Sequence, residues 1–195
     1  MKRLSLLSLL FFFSFTIMAE VFSDKHELEI VFGEPSALWL TQCIYHCGCG
    51  PQDADVIYEY RGLKLLPSVN FKYHYNYSRV FAMGAIVGYN LYYTDWEASG
   101  KILQQWDNNL YTMFSMRFNW RHKENLICYS GIAIGVGLEV YNKDHRPIDE
   151  FRYLPLPALQ LTFVGFKVGS GKLYWTAEIG YGNLGFFNTG IGFRL

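Results

Sequence analysis

From residue 27 to the C-terminus, apolar and polar residues alternate in segment after segment. Phe187, Thr189, Ile191, Phe193 and Leu195 fall on one side; Asn188, Gly190, Gly192 and Arg194 fall on the other. Just before them, Leu173, Trp175, Ala177, Ile179 and Tyr181 alternate with Lys172, Tyr174, Thr176, Glu178 and Gly180. The same period of two runs through residues 27–32, 69–77, 81–91, 110–120 and 126–140. Such a period puts successive side chains on opposite faces of a strand. Residues 154–168 keep the period but change phase: Leu159, Leu161 and Phe163 agree, then Val164, Phe166 and Val168. One extra residue near Val164 and Gly165 restores the alternation, which predicts a β-bulge. Pro155 and Pro157 cannot donate to a ladder and are expected at this strand's entrance. Eight strands result, with no helical period between them.

Links of two lengths join these strands. Residues 34–65, 94–108 and 142–152 read as long loops. Ser78-Arg79, residues 122–125 and Gly169-Ser170-Gly171 read as tight turns, and residues 182–185 as a short final loop. Side-chain size decides which face points out. The apolar face carries Phe114, Phe118, Trp120, Trp175, Phe187 and Phe193, whereas the polar face is rich in Gly, Ala, Ser and Asn. An eight-stranded barrel has an interior just wide enough for side chains, so the small residues belong inside and the apolar face meets lipid. Tyr75, Tyr77 and Trp120 then mark one membrane interface, and Tyr89, Tyr93 and Tyr181 the other.

The N-terminus is a separate object. Lys2 and Arg3 precede an apolar run over residues 4–18, and Ala19 offers a small residue for cleavage, with Ser23 as a second candidate. The run falls short of the ~20 residues of a spanning helix and reads as a secretory signal peptide. Residues 1–19 are thus expected to be removed, leaving a barrel domain over 24–195. Apolar residues make up 51% of the chain and aromatics 18%, a composition that suits strands. The formal net charge is zero, so nothing supports nucleic-acid binding.

A signal peptide, eight alternating strands and a closing GIGFRL together resemble the small eight-stranded outer-membrane β-barrels, of the OmpA-transmembrane or OmpX type. The resemblance implies an all-β, antiparallel up-and-down transmembrane barrel with both termini periplasmic. Its partners would be outer-membrane lipid and the insertion machinery that reads the last strand. Such barrels usually end in an aromatic residue; here the last residue is Leu195, and Phe193 is the aromatic on the same face.

The inward face holds Glu27, Glu29, Lys72, Arg117, Glu139, Lys167, Lys172, Glu178 and Arg194. Lone buried charges are costly, so these are expected to pair across the lumen and close it. Histidine chemistry is thin: His74 faces the lumen, His145 sits in an outer loop, and no serine shares a strand face with a histidine and an acid. A lipid-modifying barrel enzyme and a soluble ligand-binding barrel are the alternatives, and no cofactor is implied. The first long loop contains Cys43, His46, Cys47 and Cys49. In an oxidising compartment a bridge from Cys43 to Cys47 or Cys49 is expected. The same four residues could instead supply zinc or copper(I) ligands, although their spacing lacks a Cys-x-x-Cys pair. Cys128 falls on the lipid face as a small apolar residue. The function expected is structural, or contact with an unknown surface ligand through the loops.

Overall fold

A computed structural model describes residues 25–34, 59–123, 125–141 and 152–195. Residues 1–24, and with them the signal-peptide reading, lie outside the described residues. So do Cys43, His46, Cys47, Cys49 and His145. The described chain forms nine strands: β1 (His26–Gly33), β2 (Glu59–Leu65), β3 (Ser68–Asn76), β4 (Phe81–Ala98), β5 (Lys101–Lys123), β6 (Leu126–Tyr141), β7 (Arg152–Val168), β8 (Leu173–Gly182) and β9 (Phe187–Arg194). All pairings are antiparallel between neighbours, and β1 pairs with β9. The sheet therefore closes into an up-and-down barrel.

Nine strands make eight staves. β2 and β3 pair with the upper and lower parts of the same strand, β4. Pro67, which has no N–H, separates them, while the Leu66 N–H still donates to Leu91 O across 3.3 Å. Residues 59–65, expected as loop, thus extend the second stave. The expected loop 94–108 is likewise corrected. β4 and β5 continue as one ladder to Ala98↔Lys101, closed by Ser99 and Gly100 at φ 51° and 76°. Two successive left-handed residues form the turn whose twist matches a hairpin. Beyond an apolar surface neither face of a hairpin needs to be apolar, so the ladder runs on without the period-two signal.

The phase change in β7 is a bulge at Phe163: Thr162 pairs with Gly180 and Val164 with Ile179. Phe163, Phe166 and Val168 consequently all stay on the outside. Pro155 and Pro157 lie inside β7 and not at its entrance, opposite Leu138 and Val136. β8 pairs with β7 only from Gln160 onward, so the prolines occupy a free edge.

The wall is inverted relative to a soluble domain. Val136 is 64% exposed and Phe114 50%, whereas Lys167 is 0% and Arg117 2% exposed. This orientation removes the soluble ligand-binding barrel, whose apolar face would point inward. Cys128 stands opposite the outward Phe166 but is itself buried.

Candidate functional site

Strand register assembles the lumen. Glu27 and Glu29 point inward from β1; Lys72 and His74 from β3; Arg117, Lys167, Glu178 and Arg194 from β5, β7, β8 and β9. The Arg117 guanidinium donates to Glu27 at 2.7 Å and to Glu29 at 3.5 Å, and also to Asn76 at 3.0 Å. Lys167 Nζ lies 2.6 Å from Glu27 and also donates to Glu29. Lys72 donates to Glu178 at 2.6 Å. Arg194 Nε is 3.9 Å from Glu27, and its guanidinium covers the Tyr174 ring. Inside the lumen each charge is tolerable only while its partner stays.

Two expected members lie elsewhere. Lys172 is exposed in the turn before β8, its Nζ 5.9 Å from the centre of the Phe193 ring, because the strand begins one residue later. Glu139 sits further up, where the Tyr92 hydroxyl donates to it at 3.3 Å. Of the expected girdle residues, Tyr77 and Trp120 are exposed and Tyr75 half-buried at the turn end. Tyr89 is exposed, and Tyr93 and Tyr181 are half-buried, toward the loop end.

The lumen also holds what the size argument seemed to forbid. Tyr111, Tyr129 and Tyr174 are buried inside. Each stands directly opposite a glycine on the neighbouring strand: Gly88, Gly165 and Gly192. A Cβ on any of these glycines would strike the tyrosine ring. The bare backbone provides the room, and the hydroxyls reach acceptors: Tyr129 donates to Glu178 at 2.7 Å and Tyr174 to Glu29 at 2.9 Å. A tyrosine with inward parity facing a glycine was the available sequence signal.

The final short loop turns inward as a stopper. Leu184 is completely buried and packs with Ile86, Tyr111, Met113, Ala133 and Ala158. Its N–H donates to Gln160 Oε1 at 2.9 Å, and Asn183 Oδ1 accepts from the Leu159 N–H at 2.9 Å. Asn90 donates to Asn183 O at 2.9 Å. Gly185 has φ 102°, and a side chain there would collide with Glu34 O.

One catalytic-looking arrangement appears that no single strand carries. Gly84 stands between His74 and Ser115 in register, and His74 Nε2 lies 3.1 Å from Ser115 Oγ. On its other side, His74 Nδ1 is 4.0 Å from Glu29 Oε1. The order is serine, histidine, acid, but Glu29 already accepts from Lys167, Arg117 and Tyr174. The cavity beside the pair has a volume of about 20 Å³, room for roughly one water and for no acyl chain. Its chemistry is that of a hydrogen-bonded pair inside the ion-pair network. Among the described residues no cluster of three or more His, Cys, Asp or Glu could hold a metal.

Fold and lumen define a closed eight-stranded antiparallel barrel with a polar, occluded interior and an apolar exterior. No family model matches the chain, and no curated protein matches it in sequence. Among solved structures it is similar to Ail, the attachment invasion locus protein of Yersinia pestis. With the crystal structure of its complex with the heparin analogue sucrose octasulfate it shares 14% identity at a TM-score of 0.45, over 88% of this chain and 97% of that one. With the crystal structure of Ail by itself the values are 13% and 0.44, over the same shares.

Proposed function

We propose that this protein is an outer-membrane barrel with a closed lumen. Its termini and short turns face the periplasm, and it acts through what its long loops present outside. The observation that carries the reading is the inverted wall, with aliphatic and aromatic side chains outward on every stave and charges inward. An apolar surface of this extent needs acyl chains to cover it. Leu184 and the ion pairs leave no water column, which argues against a diffusion porin. The role is therefore structural or a surface contact, with the ligand of the loops unassigned. In this reading residues 1–19 are a cleaved leader, the C-terminal strand addresses the insertion machinery, and a bridge from Cys43 to Cys47 or Cys49 staples the first loop.

Gel migration of the protein from outer-membrane fractions tests this directly. A shift between unboiled and boiled samples is expected. Recovery from the soluble periplasm without detergent overturns the reading. In planar bilayers the protein is expected to give no steady conductance.

A further inference from the structure

The end of the barrel that carries the termini and short turns exposes Lys25, Arg79, Arg121, Lys123 and Lys172. Described acids of this half are all inside: Glu27, Glu29 and Glu178 are buried and bonded to Arg117, Lys167 and Lys72. The Leu195 carboxylate lies at the same end, where the Leu195 N–H donates to His26 O at 2.8 Å, and Asp24 and Glu124 fall outside the described residues. The opposite end differs. There Arg61 pairs with Glu97 at 2.7 Å and Lys64 with Asp95 at 3.2 Å. Among the described side chains, one rim is mixed in sign and the other exposes cations.

The cationic rim begins where the apolar wall stops. Arg121 follows the outward Trp120 and stands opposite Cys128. Lys172 reaches over the ring of Phe193, which is itself on the apolar face. If acyl chains cover that face, the next atoms along the barrel are headgroup phosphates.

We propose that this rim binds the phosphates of anionic phospholipids, so that the barrel selects phosphatidylglycerol-type lipids over zwitterionic ones around its turn end. The proposal rests on the membrane reading above. Each Lys or Arg held at an anionic surface strengthens attachment roughly five-fold, and salt screens the effect.

Quenching of tryptophan fluorescence by brominated lipids provides the test, because Trp120 and Trp175 are outward and close to this rim. The mature protein is refolded into vesicles containing brominated phosphatidylglycerol or brominated phosphatidylcholine. A preference for the anionic lipid of roughly five-fold is expected at low salt. It should approach unity in about 0.5 M salt. It should also approach unity in the combined Arg79→Gln, Arg121→Gln, Lys123→Gln, Lys172→Gln variant. Lys123→Arg with Lys172→Arg should retain it, as should Arg61→Gln with Lys64→Gln at the other end. Equal quenching by both lipids in the unaltered protein, or a preference untouched by salt and by the four substitutions, overturns the proposal while leaving the membrane reading intact. Absence of quenching by either lipid overturns both.

Discussion

Below Leu184 the lumen is held by four cations, Lys72, Arg117, Lys167 and Arg194, and three carboxylates, Glu27, Glu29 and Glu178. Above it the filling is asparagine amides, the Tyr111 hydroxyl and the backbone of the stopper loop, with the carboxylates of Asp107 and Glu139 buried nearer the loop end. The lower half draws only on strand residues, fixed by the ladder. Its charges depend on one another, so it is either complete or badly broken. The upper half relies on one loop, and its bonds fail singly. Unpartnered buried polar atoms follow the same division. Among the described residues, Asn90, Asn109 and Asn188 contribute five, whereas Glu29 Oε2 and His74 Nδ1 are the two below. Orphaned amides of this kind are where ordered water belongs. The lower half is therefore the more interdependent one.

Six substitutions sharpen or break this contrast, taken from large effect to small. Arg117→Met leaves Glu27 and Glu29 short of a buried partner and should cost about 3–5 kcal/mol, read by urea unfolding in detergent. Adding Glu27→Gln should recover much of that loss; a loss below about 1 kcal/mol in the single variant would mean that water already screens the network. Leu184→Ala should cost about 2–3 kcal/mol. Hydrogen exchange should quicken at residues 183–186 but not on β1 or β9, and uniform quickening would erase the division into halves. Gly192→Ala displaces the Tyr174 ring from the lower half and should cost about 1–3 kcal/mol. The equivalent change at Gly88, where a Cβ would meet both Asn70 Oδ1 and the Tyr111 ring, should cost a similar amount. Lys172→Gln should change stability by no more than about 0.5 kcal/mol. A larger loss would return Lys172 to the lumen.

What the sequence announced follows from where the chain meets oil. Inside the apolar band one face must be greasy, so period two marked every stave, and a phase slip betrayed the Phe163 bulge. Past the band that demand ends, and residues 59–65 and 94–108 form ladders with no pattern to show it. Inward parity puts Glu27, Glu29, Lys72, Arg117 and Glu178 on one face, because alternation fixes the face. It could not say that Lys172 falls one residue before the strand, nor that Glu139 sits well above the others. Contacts between strands were hidden for a different reason. His74, Ser115 and Glu29 come from three strands, and only register brings them together. Leu184 sits among loop residues, and its burial depends on Gln160, far back along the chain.

The seam between β1 and β9 makes time part of this fold. Glu27 to Gly33 pair with Asn188 to Arg194, so the first described strand to be synthesised is completed by the last. Until β9 exists, β1 and β8 each present a raw edge, and every lumen charge that relies on closure lacks its enclosure. A ribosome partway along this message has therefore made nothing that could be called a smaller barrel. The fold belongs to the finished message, and a chain shortened by one stave inherits two edges in place of none.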